Sequence, residues 1–442
     1  MTPAQQHSQD FLESVASGQD VTFNYHRRSL RFRVSQELFS SYQIDTGTRL
    51  LLKTVSELAV SNSVRKVLDL GCGYGPLGLA LAAVEPGREV HLVDRDALAV
   101  EFTRSNAQLN GLSNVKVYGS LGYDDLPDSD FDLILCNIPG KIGRQAIGSL
   151  LLDARRFLQA EGIAAIVVVP PLAPFVDETL DRPEITRLLR EEGSEHAVFH
   201  YRFLDEQNLR VLDPETTRSD LYQISQVYEK SAFDRGVYDR GQMDVDYGAR
   251  AGKHARSSER GRKFSIQTVR GVPEFDSLSH QTELLLSGLQ KMREKKKGID
   301  QALIFNPGQG HVPVALWKLF SPLRMTLVDR DLLSLRAAER NLLANGCPRE
   351  KFTLLHKPGM PAGEAAIYDL ILGALHDSEG PAAHYIVIEQ AAALLVLQGE
   401  VLVSGSSTTI TRLEKSIKEA KLLTVKQRRR NRAKRMLRLS KQ

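Results

Sequence analysis

The sequence predicts an α/β protein made of two tandem doubly wound domains, the second a degenerate copy of the first. Three observations carry that reading. VLDLGCGYGPLG, Val67 to Gly78, spells a strand, a glycine loop and the start of a helix. LVDRD, Leu92 to Asp96, ends a second apolar run on an acid. Both features return 235 residues further along the chain.

Val67, Leu68 and Leu70 suit a strand buried on both faces. Gly71, Gly73 and Gly75 allow a tight turn and a close approach to a ligand. Pro76 suits the first turn of the next helix, whose apolar surface comes from Leu77, Leu79, Ala80, Leu81 and Ala82. Asp94 lies 19 residues beyond Gly75, close to the ~20-residue interval at which a carboxylate reaches ribose hydroxyls in doubly wound folds. Gly73, Gly75 and Gly78 also satisfy GxGxxG, so a dinucleotide has to be weighed. Asp69, just before the glycines, would repel a pyrophosphate and attract an ammonium group, which favours a cationic cofactor.

With these motifs the chain resembles the class I S-adenosylmethionine (SAM)-dependent methyltransferases. The resemblance assigns Gly71, Gly73 and Gly75 to the loop beneath SAM and Asp94 to its ribose. Asp69 would act at the methionine end, through water or the loop backbone. Upstream, Phe39, Ser40, Asp45, Gly47, Thr48, Arg49, Leu50 and Leu51 look like the signature of the small-methyltransferase-domain family, which includes tandem-domain ribosomal RNA guanine-N2 methyltransferases. It places Thr48 among the cofactor-binding residues, and Ser120 where many relatives carry an acid for the adenine.

FDLILCNIPG, Phe131 to Gly140, ends an apolar run in Asn137 and Pro139, at a strand's carboxyl end, where open α/β sheets bind ligands. Methyltransferases of planar amines commonly carry Asn-Pro-Pro and an aromatic residue there. Asn137 and Pro139 match, Ile138 and Gly140 do not. The resemblance implies that Asn137 and Pro139 orient the acceptor amine. The stacking ring would have to come from elsewhere, such as Tyr42 or Tyr74, unless the acceptor is not a base amine.

His91 to Gly111 and Thr326 to Gly346 share nine identities in 21 positions. In the second copy Ile304 replaces Asp69, Asn306 replaces Gly71 and Ala374 replaces Asn137, while Gly308, Gly310 and Asp329 persist. Catalysis is therefore expected in the first copy, the reverse of the order in the tandem RNA enzymes. The expected boundaries are an extension over 1–20, a catalytic domain over 21–230, a basic Gly/Arg-rich linker over 231–263 and a degenerate domain over 264–442.

The chain has 442 residues and a net charge of +4, too little to name a partner by itself. The distribution says more. Val425 to Gln442 holds nine Lys or Arg and no acid. Its lengths fit a β-hairpin, and its charge suits phosphate. RNA, expected to be ribosomal, is accordingly the anticipated partner through Arg428, Arg429, Arg430, Arg432, Lys434 and Arg435. Cys72, Cys136 and Cys347 form no metal-ligand spacing, no metal is expected, and no apolar run approaches a membrane span. A cytoplasmic protein is expected. The function anticipated is SAM-dependent methylation of a base amino group in RNA, guanine N2-like. A small-molecule or protein methyltransferase, or a non-catalytic RNA-binding assembly factor, is the alternative.

Overall fold

The structure, a computed structural model, describes residues 11–38, 43–61, 63–204, 231–246, 263–295, 298–361, 366–377 and 380–442. They divide into two compact units, Ala16–Tyr238 in one and Asp239–Gln442 with the segment 11–15 in the other.

The first unit opens with an antiparallel hairpin of β1 (Ala16–Tyr25) and β2 (Arg28–Ser35). Helices α1 (Thr46–Thr54) and α2 (Ser56–Val60) follow. Then come β3 (Lys66–Leu70), α3 (Pro76–Val84), β4 (Glu89–Asp94), α4 (Ala97–Leu109), β5 (Val115–Gly119), β6 (Phe131–Asn137), α5 (Arg144–Asp153), β7 (Leu158–Val168), α6 (Ala173–Leu180), β8 (Ile185–Glu192) and β9 (Ala197–Phe203). The sheet order is β5-β4-β3-β6-β7-β9-β8. Strands β3 to β7 run parallel, and β9 and β8 add antiparallel at one edge. The order reverses direction beside β3, so its glycine loop lies at the switch point where such sheets bind ligands.

Local sequence explains the central elements. All of Val67–Leu70 is buried, as a parallel strand covered on both faces requires. In α3 every residue from Pro76 to Ala82 is buried, so this helix is core throughout rather than amphipathic. Asp96 caps α4 by accepting from the Leu98 N–H. Arg88, 1% exposed, donates to the carbonyls of Val64 and Leu81 at 2.9 and 3.1 Å. It also reaches those of Leu58 and Ser61, so its buried guanidinium closes the ends of α2 and α3.

The second unit repeats this plan. A hairpin of β10 (Arg240–Asp246) and β11 (Lys263–Val269) precedes α7 (His280–Lys295), β12 (Gln301–Phe305), α8 (His311–Phe320), β13 (Arg324–Asp329), α9 (Leu332–Ala344), β14 (Phe352–His356), β15 (Tyr368–Ala374), α10 (Gly380–Leu394), β16 (Leu395–Ser406), α11 (Ser407–Ala420), β17 (Thr424–Asn431) and β18 (Lys434–Ser440). The sheet order, β14-β13-β12-β15-β16-β18-β17, is that of the first sheet strand for strand.

One of the repeat identities, Asn106 with Asn341, has a direct structural meaning. Asn106 exchanges hydrogen bonds with the backbone of Arg33 and donates to the Tyr74 carbonyl. Asn341 does the same with Gln267 and Gln309. In each unit this asparagine ties the hairpin to the glycine loop.

The linker expectation needs revision. Residues 240–246 are a strand, and the N–H groups of Ala232 and Phe233 are held by Asp124 at 2.7 and 3.1 Å. The basic part, 250–262, lies outside the described residues. Strand β1 likewise begins at Ala16, ahead of the expected start at 21. Among the described residues no helix is long and apolar enough to cross a membrane.

Candidate active site

The glycine loop is pinned from below. The N–H groups of Gly71 and Cys72 both donate to the Val93 carbonyl at 2.9 Å, and Thr103 donates to the Gly73 carbonyl at 2.8 Å. Gly71 and Gly73 have φ of +76° and +58°, which L side chains rarely adopt, and nothing lies within 4 Å of where a Cβ would stand on either. The loop is thus a shallow backbone cradle with open space above it.

Two carboxylates flank that cradle. Asp69 is wholly buried. Its Oδ2 accepts from the Gly78 N–H at 2.8 Å, while Oδ1 has no hydrogen-bond partner among the described residues. Burial pushes this carboxyl up to about 7, opposed by the Gly78 hydrogen bond and helped by the charge of Asp94. Asp94 accepts from the N–H groups of Gly73 and Asp96, both at 2.9 Å. Desolvation and the charge of Asp96 raise it to about 6. A buried carboxylate with an orphaned oxygen, beside an open glycine cradle, fits a cationic ligand.

Asn137 ends β6, the strand beside β3, two positions past Leu135, which pairs with Asp69. Its Nδ2 lies 3.2 Å from Asp45 Oδ1 and 3.2 Å from Thr48 Oγ1. Asp45 is the N-cap of α1 and accepts from the Thr48 N–H at 3.0 Å. Thr48, expected at the cofactor, is buried, with its hydroxyl against the Asn137 amide. Pro139 follows in the loop, its carbonyl accepting from Ile142 at 3.4 Å. Ser120 stands beside Asp94, donating its N–H to the Asp94 carbonyl, but its hydroxyl is engaged with Gly122 and Asp125.

Asp45 was visible in the sequence only as part of a motif. Its contact with Asn137 spans 92 residues, which no local pattern announces. Tyr74 is not available as a stacking ring, because it is 2% exposed and packs edge-on against Phe32. Tyr42, Phe39 and Ser40 lie outside the described residues.

The second unit differs where chemistry would occur. Ile304 offers no carboxylate, and Asn306 donates its side chain to the Ala374 carbonyl at 2.9 Å, bridging the loop to the end of β15. Gln309 is buried and bonded to the backbone of Val269 and Val272. Asp329 survives, accepting from the Asp331 N–H. His376 and Asp377 form no acid-base pair: Asp377 is bonded to Thr409 and Lys434, and the His376 carbonyl accepts from His384.

The basic C-terminal segment is the hairpin β17–β18, with β17 at the sheet edge. Its cations divide. Lys426, Arg428, Arg430 and Arg432 are exposed, although Arg428 also meets Glu414 at 2.6 Å. Arg429 turns to Ser287 and Arg438 to Glu400. Lys434 and Arg435 are half-buried and bonded to Asp377 and Thr411.

Residues 29–177 match the family described as the methyltransferase small domain. An uncharacterized protein of Bacillus subtilis (strain 168), YbxB, is 32% identical over 187 residues, 41% of this chain and 90% of that protein. Ribosomal RNA large subunit methyltransferase G of Shewanella oneidensis is 33% identical over 156 residues, 33% of this chain and 40% of its own length. In fold, the chain is similar over its whole length to the T. thermophilus 16S rRNA N2 G methyltransferase RsmC, a structure with AdoMet and guanosine. That match has a TM-score of 0.61 at 16% identity and covers 100% of both chains.

Proposed function

The chain belongs to the methyltransferase small domain family and is a SAM-dependent methyltransferase, and from that premise we propose that its first unit methylates a base amino group, guanine N2-like, in ribosomal or other structured RNA. The observation that carries this is the placement of Asn137, a side-chain amide at the carboxyl end of β6, next to the strand whose loop forms the glycine cradle. The ribosomal RNA methyltransferases it resembles support the substrate class, although the alignment spans only 40% of their length.

SAM, when bound, supplies an electrophilic methyl on a positively charged sulfur. The chain's own work is to hold and orient. Gly71, Gly73 and Gly75 would carry the cofactor on bare backbone, Asp94 would accept from its ribose hydroxyls, and Asp69 would bias the methionine end toward a cation. An exocyclic base nitrogen has its lone pair delocalised into the ring, so its NH2 must be presented to acceptors. The oxygen of Asn137, with a backbone carbonyl of the 137–139 segment, is suited to that. A base taken out of its helix would enter here. Orientation of two bound partners supplies much of the acceleration in such a displacement. The exposed cations Lys426, Arg428, Arg430 and Arg432 are offered as phosphate contacts.

The test is SAM titration by calorimetry with wild type and Asp94→Ala, then labelled methyl transfer into ribosomal RNA with the product base identified by mass spectrometry. Saturable binding lost in the variant, and a methylated base amine, are expected. Binding without any RNA product would move the acceptor to a small molecule or protein, and no binding would leave an RNA-binding scaffold.

A further inference from the structure

We propose, on the base-amine reading above, that Asp45 is a positioning residue: it sets the flip of the Asn137 amide so that the oxygen, not the NH2, meets the acceptor. An asparagine side chain has two nearly isosteric ends of opposite hydrogen-bonding sense. One orientation would present an acceptor to the base amine, and the other a donor, which an NH2 group repels. Something must choose between them.

The neighbours of Asn137 make that choice. Asp45 Oδ1, 3.2 Å from Asn137 Nδ2, belongs to a carboxylate that can only accept. Thr48 Oγ1, also 3.2 Å away, would otherwise be free to donate, but its single proton goes to Asp45 Oδ2. Toward Asn137 it therefore offers lone pairs. Both neighbours are acceptors, so the NH2 end is held between them and the oxygen is left for the incoming amine. Asp45 achieves this twice over, directly and by directing the Thr48 hydroxyl.

Asp45 is itself fixed. As the N-cap of α1 it accepts from the Thr48 N–H at 3.0 Å. Thr46 at the start of the same helix is bonded to Glu195 and His196, at 3.0 and 3.1 Å, on the turn between β8 and β9. The loop end carrying Asp45 is thus clamped to the sheet edge, and its carboxylate cannot swing away without uncapping the helix.

The second unit supports the coupling. There Ser279 stands in the place of Asp45 and Ala374 in that of Asn137, while Thr282 keeps the place of Thr48 and gives its hydroxyl to Glu274 at 2.8 Å. The helix start survived, and the carboxylate and the amide were lost together. Ser279 still caps that helix, accepting from the Thr282 N–H at 3.2 Å, so a helix cap at this position does not need a carboxylate.

The experiment measures methyl incorporation into ribosomal RNA at saturating SAM, with SAM affinity by calorimetry and melting temperature alongside. Ser at position 45 keeps the cap but is too short to reach Asn137. Asp45→Ser should lower kcat by about 100-fold, the scale of a misplaced reacting group, with SAM affinity and melting unchanged. Asp45→Asn, whose oxygen the Thr48 N–H would still hold in place toward Asn137 but whose NH2 would free the Thr48 hydroxyl to donate, should fall between wild type and Asp45→Ser. In the Asn137→Ala background Asp45→Ser should cost nothing more, because the residue acts through Asn137. A wild-type rate in Asp45→Ser, multiplicative losses in the double variant, or Asp45→Asn as slow as Asp45→Ser would each overturn the proposal. A wild-type chain that binds SAM but methylates no RNA would overturn the acceptor reading and this role with it, a failure visible before any variant is made.

Discussion

Lowering the pH should weaken SAM binding steeply, and the two raised carboxyls set both the window and the slope. In the proposed role Asp94, at about 6, has to be ionised to accept from ribose hydroxyls at full strength while keeping its own backbone donors. Asp69, at about 7, must be ionised to favour a cation over a neutral ligand. SAM's own α-amino group stays protonated below about 8, so it adds no slope in this range. At pH 5 the proton on Asp94 costs about tenfold in affinity and that on Asp69 about a hundredfold, together about 10³-fold relative to pH 8. Between pH 6 and 7 the logarithm of Kd should change with the slope of one proton, and below pH 6 with the slope of two. Calorimetric titrations at half-unit intervals measure this. Asp69→Asn should bind more weakly at pH 8 but show a slope of only one proton below pH 6. An affinity flat from pH 5 to 8, or an Asp69→Asn variant with the full slope, would refute the assignment of these carboxyls to a cationic ligand.

The ligand-free chain should respond in the opposite sense. Both carboxyls titrate higher folded than unfolded, so the folded state holds extra protons between about pH 4 and 7 and loses stability as pH rises through that window. Thermal melts should be higher at pH 5 than at pH 8, and saturating SAM should shrink the difference. Calorimetry should count one SAM per chain, because Ile304 and the Asn306 bridge to Ala374 replace the first unit's carboxylate and open cradle; two equivalent sites would contradict this. Gly78→Ala should destabilise by about 1–3 kcal/mol in denaturant melts, since its Cβ would fall 2.6 Å from Leu92 Cδ2 and 3.0 Å from Asp69 Cβ. If the C-terminal hairpin contacts RNA, removing Lys426, Arg430 and Arg432 together should lower the salt slope of RNA binding by about three. Removing Arg438, already paired with Glu400, should leave that slope alone.

The duplicated plan was legible because its strongest signals are local. Apolar runs such as Val67–Leu70, the three glycines and the acid at each strand end sit within a few residues of one another, and their spacing carries the geometry. The two hairpins were not legible to the same degree. Met243 and Val245 alternate with polar residues, as an edge strand should, but Gly, Arg and Asp around them give the stretch the composition of a linker. Pairing with Lys263–Val269, well along the chain, decides its structure. The cations of the C-terminus failed in another way. Their number was plain, but which of them face solvent depends on strand alternation and on Glu414, Glu400 and Ser287, acids and a hydroxyl supplied by other elements.

The site divides along the same line. Residues proposed to meet the cofactor by backbone or by their own strand end, such as Gly73 and Asp94, announce themselves by spacing. Residues that act by holding another side chain, such as Asp45, do not, because the partner is reached only through the fold. The two units themselves separate these roles. What both keep, Asn106 and Asn341 above all, ties hairpin to glycine loop and is required for the shape. The second unit lacks Asp69, Gly71, Asp45 and Asn137 as a group, and Asn306 bridges its loop to the end of β15. There the Asn306 side chain crosses the vacated position to the Ala374 carbonyl, while Gly308, like Gly73, has nothing within 4 Å of where a Cβ would stand; the second unit has lost a carboxylate and an amide, and has kept the loop's shape.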